Sequence, residues 1–150
     1  MILKLLSVSS LVVIFDRLTK YLLLKNLSEG ESIRLVPGMF HITLVFNSGA
    51  AFGLFKGRSL FFTVSAILVI ACICFYITRG GCKDFSMLIA LGLILGGAVG
   101  NLIDRIAFGY VVDFLDFRIW PVFNMADASI TIGASILALR LIFNKRCCTT

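Results

Sequence analysis

From Ser59 to Ile77 the chain runs without a single charged residue. A run of this kind constrains the fold more than any other feature, because about 20 apolar residues are what a helix needs to cross about 30 Å of hydrocarbon. Within that layer each backbone N–H and C=O must find its partner inside the segment, and a helix does this by itself. Three further stretches are comparable: 5–24, 85–106 and 122–143. Four spans and their connections account for a chain of 150 residues, so the expectation is an all-α membrane protein of one domain, 1–150. The composition agrees, with 59% hydrophobic residues against roughly 45–50% in soluble domains.

The first span is the least regular. Leu5–Phe15 is too short to cross alone, so a crossing must take in Asp16, Arg17, Thr19 and Lys20. Asp16 and Lys20 are four apart and share a helix face. A cleaved leader is the rival reading, but no small-residue cleavage site follows the apolar run. The net charge of +6 would suggest nucleic acid for a soluble protein. Here Lys and Arg flank spans and meet lipid head groups.

Residues 25–58 are the longest polar stretch. Ile33–Val36 and Phe40–Phe46 flank Pro37-Gly38, which predicts a small outer β-hairpin. His41, the only histidine, reads as a surface residue. Asn47-Ser-Gly-Ala-Ala-Phe-Gly53 then packs small residues where backbone must approach a partner closely. In the third span Gly92, Gly96 and Gly100 repeat at every fourth position, a spacing that lets membrane helices pack closely. Residues 107–121 read as a second outer loop with Asp113, Asp116, Arg118 and Trp120. The fourth span carries Asp127, Thr131 and Ser135 on one face.

Four spans put both ends of the chain on one side of the membrane. Asp16–Lys20, Asn47–Gly53, Asn101–Asp113 and Asn124–Asp127 then converge on the other. Charge does not say which side is which. Lys4, Arg79, Lys83, Arg140, Lys145 and Arg146 on the terminal side balance Lys25, Arg34, Lys56, Arg58, Arg105 and Arg118 on the other.

Polar residues at a membrane boundary mark function by default, and elimination narrows the chemistry. There is no G-x-S-x-G elbow, one histidine cannot complete a convincing serine triad, and no zinc or phosphate-loop motif occurs. Cys72, Cys74, Cys82, Cys147 and Cys148 form no disulfide or metal pattern and read as small buried or tail thiols. What remains is carboxylates, amides and a few cations. Two close carboxylates cannot both ionise readily, so they share a proton and can hydrolyse an amide without metal. Asp113 and Asp127, on either side of one loop, are the best pair. Asp104 and Asp16 have neighbouring cations, Arg105 and Lys20, and look structural.

These residues fall into blocks: Asp16-x-x-Thr19-Lys20, Asn47-x-Gly49-Ala50-Ala51-Phe52-Gly53, Gly96-Gly97-Ala98-x-Gly100-Asn101-x-x-Asp104-Arg105, Val111-Val112-Asp113-Phe114 and Phe123-Asn124-x-Ala126-Asp127. In this order and at span ends, over nearly the whole chain, they resemble the bacterial prolipoprotein signal peptidases (signal peptidase II). The resemblance implies an aspartic endopeptidase of the cytoplasmic membrane that cuts diacylglyceryl-modified prolipoproteins just before the lipidated cysteine. It puts the catalytic acids at Asp113 and Asp127, and supporting polar residues at Asp16, Lys20, Asn47, Asn101, Asp104, Arg105 and Asn124. It also implies cytoplasmic termini and a site at the outer leaflet. Arg17 stands where the family often has glutamine. The expected partners are prolipoprotein substrates and membrane lipids, with no nucleic acid, cofactor or metal, and the chain is expected to act as a monomer.

Two readings from other classes compete. A small proton-coupled transporter would carry polar residues through the midplane and an internal repeat; spans two and three are apolar there and no repeat is visible. A non-enzymatic assembly subunit would need no acid pair. Aspartyl membrane peptidases related to presenilin and prepilin peptidase carry a Gly-x-Gly-Asp motif, which is absent. A peptidase working on lipidated substrate must unwind the peptide near the cut, leaving backbone groups unpartnered in lipid. Asn47 and Asn124, with Arg105 as a further candidate, are expected to partner them, and Gly49–Ala51 to let the outer segment close over the substrate.

Overall fold

The computed structural model describes residues 2–49, 59–81 and 84–143. Four helices and three strands follow in the order α1 (Ile2–Asn26), β1 (Ser32–Val36), β2 (Phe40–Asn47), α2 (Ser59–Thr78), α3 (Phe85–Phe108), β3 (Val111–Asp116) and α4 (Met125–Phe143). The protein is thus mostly helical with one small sheet. Three helices, α2, α3 and α4, are long and apolar enough to cross a membrane. At 25 residues α1 is just as long, but Asp16, Arg17 and Lys20 interrupt it.

α3 is the central helix, because its small residues let it be. A Cβ on Gly92 or Gly96 would come within 2.9 or 2.7 Å of atoms in Val8 and Ser9 of α1. A Cβ on Gly97 would lie 2.4 Å from the carbonyl oxygen of Ala126 in α4. The glycine stripe therefore serves α1, and the adjacent face serves α4. Leu5, Ile73, Leu88, Leu91 and Leu95 close an apolar core at the other end of α3. α2 buries only Ile73, and the outward faces of α1 and α4 expose Leu3, Leu11, Ile14, Leu139 and Leu141. Helices apolar all round belong in lipid.

The expected hairpin is present. Pro37 and Gly38 (φ 73°) make its turn, closed by Met39 N–H to the Val36 carbonyl at 3.1 Å, a Pro-Gly pattern suited to a type II turn. The loop expected over 107–121 is partly a strand. Gly109, at φ 79°, caps α3, and β3 then pairs antiparallel with β2, giving the order β1-β2-β3. Leu27, Leu44 and Val112 bury together beneath this sheet. The fourth span begins later than 122: Phe123 bridges Leu115, and α4 starts at Met125.

Three other expectations are corrected. His41 is buried, across the sheet from Asp116, with Nε2 unpartnered. Cys72 and Cys74 are exposed on the outer side of α2, since that helix is lipid-facing nearly all round; the other cysteines lie outside the described residues. Asp104 does not pair with Arg105. Its partners are Lys20 and Arg17, because Arg105, the next residue along the helix, points to another face.

Candidate active site

Asp113 comes from β3 and Asp127 from the first turn of α4. Both line one cleft of about 260 Å³, with Asn47, Gly49 and Arg105 on its polar side and Phe62, Val111 and Trp120 among its apolar walls. Long-range pairing of β3 with β2 places Asp113 opposite Val45 and Asn47 opposite Val111, which brings the Asn47 amide to the Asp113 carboxyl.

A ladder of side-chain amides joins the two acids. Asn47 Nδ2 donates to Asp113 Oδ2 at 2.8 Å, and Asn124 Nδ2 donates to Asp113 Oδ1 at 2.6 Å. Asn124 Nδ2 also donates to Asn101 Oδ1 at 3.1 Å, and Asn101 Nδ2 to Asp127 Oδ1 at 2.7 Å. Backbone groups set the direction of each amide. Gly49 N–H holds Asn47 Oδ1 at 3.0 Å, and Asp127 N–H holds Asn124 Oδ1 at 3.0 Å. A carbonyl oxygen committed to an N–H leaves its NH₂ to face the carboxylate.

Asp113 is 2% exposed. Its burial, then the negative charge of Asp127, push its carboxyl up to about 7, against the opposing pull of the Asn47 and Asn124 amides and Lys20. An acid in that range exchanges a proton readily near neutrality. Arg105 lies over the Phe62 ring at 5.5 Å and donates to the Asn101 carbonyl at 3.5 Å, so its charge is directed at the cleft.

The remaining expected residues lie beneath the cleft. Lys20 Nζ sits 2.9 Å from Asp16 Oδ2 and 2.7 Å from Asp104 Oδ2. Arg17 joins this group, 2.6 Å from Asp104 and 2.8 Å from Asp16. Its membership was not legible in the sequence, which showed only a charged residue in an apolar span. An apolar groove of about 570 Å³ runs from Asp127 along α4, lined by Phe117, Ile119, Trp120 and Ile132. The described residues contain no group of three His, Cys, Asp or Glu side chains that could hold a metal ion.

Fold and site together define a membrane protein with two carboxylates, Asp113 and Asp127, lining one cleft at one end of its bundle. The sequence profile described as Signal peptidase (SPase) II matches residues 8–143, and the chain belongs to that peptidase family. It is 50% identical over 133 residues to the lipoprotein signal peptidase of Halothermothrix orenii, covering 87% of this chain and 90% of the relative. The lipoprotein signal peptidase of Moorella thermoacetica is 47% identical over 133 residues, with 88% of each chain covered. A solved bacterial membrane enzyme, determined by the in meso method at 2.3 Å, superposes with a TM-score of 0.87 at 33% identity, over 97% of this chain and 93% of that one.

Proposed function

We propose that this chain removes the signal peptide from diacylglyceryl-modified prolipoproteins, cutting before the lipidated cysteine, and that Asp113 and Asp127 are its catalytic residues. The observation that carries the reading is the amide ladder from Asn47 through Asn124 and Asn101, which orients both carboxyls toward one cleft. With one proton shared between them, the ionised acid takes a proton from water as its oxygen attacks the scissile carbonyl. The protonated acid supports the developing oxyanion. Collapse of the tetrahedral intermediate breaks the C–N bond, and a proton passes to the departing amine of the cysteine. No metal or covalent intermediate is needed.

Lipid dictates where this happens. Withdrawing acyl chains from the bilayer costs about 0.8 kcal/mol per CH₂, so the substrate's chains stay in the membrane while its peptide reaches the acids. The groove beside Asp127 suits such a substrate, since it opens from the cleft along the outside of α4. Asn47, Asn124 and Arg105 partner the unwound backbone at the cut. All four helices cross the bacterial cytoplasmic membrane as one domain, α1 included, because its charges are matched within the bundle. Both termini are cytoplasmic, the cleft is at the outer leaflet, and the chain acts as a monomer among membrane lipids. A proton-coupled carrier is not favoured, since Asp113 lies on a strand and Asp127 in the first turn of α4, not along the span.

The test is incubation of the purified protein with a lipidated prolipoprotein, followed by mass. Loss of the signal peptide is expected, and Asp113→Asn or Asp127→Asn should abolish it while each variant stays folded in the membrane. Near-parental turnover by either variant would remove the assignment.

A further inference from the structure

Beneath the cleft, Asp16 and Asp104 are each fully buried and Lys20 is 2% exposed. Both acids divide their oxygens between cations and backbone. Asp104 Oδ1 accepts from Arg17 at 2.6 Å, while its Oδ2 accepts from Lys20 at 2.7 Å and from Val112 N–H at 3.1 Å. Asp16 Oδ2 accepts from Arg17 at 2.8 Å and lies 2.9 Å from Lys20, while its Oδ1 accepts from Ala126 N–H at 3.2 Å. Val112 immediately precedes Asp113, and Ala126 immediately precedes Asp127. Each buried acid therefore grips the chain one residue ahead of a cleft acid.

Two acids and two cations make the group neutral. Lys20 alone would leave it one negative charge in excess, and Asp104 Oδ1 would lose the Arg17 donor. Arg17 also donates to the Gly100 carbonyl at 3.1 Å, which fixes its planar fork across α1 and α3. Lys20 also bridges the two carboxylates, but a planar fork holds fixed directions that the rotatable donors of an ammonium do not.

We propose that Arg17 is a positioning residue for the reaction, setting through Asp104 and Asp16 the two backbone grips that aim Asp113 and Asp127 into the cleft. This rests on the acid-pair reading of the site. Two consequences separate it from a simple brace. Misplacement of reacting groups lowers turnover more than substrate binding. The excess negative charge left by its removal also favours the protonated form of the acids. The charged groups facing Asp113 are Asp127 from α4, Lys20 from α1 and Arg105 from α3, and all three are the same in the variant as in the parent. The basic limb of the activity profile should therefore move to higher pH.

The experiment uses the purified full chain in detergent with a lipidated prolipoprotein. Arg17→Met should lower kcat per folded molecule by about tenfold to hundredfold, leave KM within about twofold, and shift the basic limb upward. Arg17→Lys should return the limb to its parental pH while regaining only part of kcat. Should Arg17→Met fail to accumulate, Arg17→Leu is read by the same criteria as Arg17→Met. A neutral variant that melts lower but turns over at the parental rate per folded molecule, with the parental pH profile, would overturn the proposal. So would a limb that stays shifted in the lysine variant. Asp113→Asn is run alongside: if it is active, the acid-pair reading falls and this inference with it. If it is inactive while Arg17→Met is parental, only this inference falls.

Discussion

Asn124 and Asp127 cap each other. Asn124 Oδ1 accepts the Asp127 N–H at 3.0 Å, and Asp127 Oδ2 accepts the Asn124 N–H at 3.3 Å. This is the reciprocal pattern of a capping box, with Asn at the cap and Asp three residues on. The start of α4 and the orientation of a cleft acid are therefore one structure. Asn124 has a second task, since its Nδ2 bonds both Asp113 and Asn101. Serine caps helices nearly as well as asparagine but cannot reach both groups. Asn124→Ala should lose about 1 kcal/mol of stability from the cap and most of its turnover. Asn124→Ser should regain the melting temperature and not the turnover. Thermal unfolding and single-turnover cleavage, measured together, decide this: a serine variant that cleaves normally would mean that the cap alone matters.

The pH dependence has a definite sign. Asp113 is pushed up to about 7, first by burial, then by the charge of Asp127, while the Asn47 amide pulls the other way. The proposed mechanism needs one shared proton, so activity should fall as the pH rises past the Asp113 range. Asn47→Ala removes a donor to the ionised carboxylate and raises the Asp113 value further. The basic limb of kcat/KM should then shift to higher pH, alongside a lower maximum. A limb that moves down, or does not move, contradicts this role for the amide.

Close helix packing should also set turnover. A Cβ on Gly97 would stand 2.4 Å from the Ala126 carbonyl oxygen, one residue before Asp127. Backbone cannot yield as a flexible side chain can, so Gly97→Ala should cost about 1–3 kcal/mol and displace the start of α4. Turnover should fall severalfold or more. Gly109→Ala is the control: its Cβ would meet nothing within 4 Å, leaving only the strain of φ 79°. It should cost about 1–2 kcal/mol and leave turnover per folded molecule near parental. Equal loss of turnover in both variants would argue against Gly97 as a site determinant.

Much of this was legible in the sequence because lipid allows few solutions. The apolar run of α2, the Pro-Gly turn of the hairpin and the glycine spacing of α3 each have a local cause. The Asp113–Asp127 pair emerged from span ends that had to converge. What was not legible depends on distant partners. Val111–Asp116 looked like loop because the stretch 107–121 carries Asp113, Asp116 and Arg118; it is a strand only because β2 is there to pair with it. Asp104 seemed paired with Arg105 by adjacency. Helix geometry points neighbours to different faces, and the true partners come from α1, 84 and 87 positions away. The burial of His41 within the sheet has the same origin: its strand gave no sign of which face would be covered.

A strained turn should govern substrate binding. Arg118 adopts φ 64°, and Ile119 N–H bonds the Phe117 carbonyl at 2.7 Å, closing a three-residue turn of the rare γ type. A non-glycine residue in this region costs about 1–2 kcal/mol. Asp116 offsets it, accepting from Arg118 N–H at 2.8 Å, from its guanidinium at 3.0 Å and from the Thr43 hydroxyl at 2.8 Å. Burial pushes this carboxyl up, but those three donors together hold it below the usual carboxylate range. The turn leads directly into Trp120 and Pro121, which wall the cleft. Asp116→Ala should therefore relax the wall and leave the acids in place. KM should rise about tenfold while kcat stays within about threefold, since lost uniform binding acts on KM. Arg118→Gly keeps the N–H bond, relieves the backbone and loses only a surface ion pair worth about 0–1 kcal/mol. It should bind substrate nearly as the parent does. Steady-state kinetics on the two variants decide the matter: an alanine variant with parental KM, or a glycine variant as impaired as the alanine one, would show that the turn does not shape the cleft.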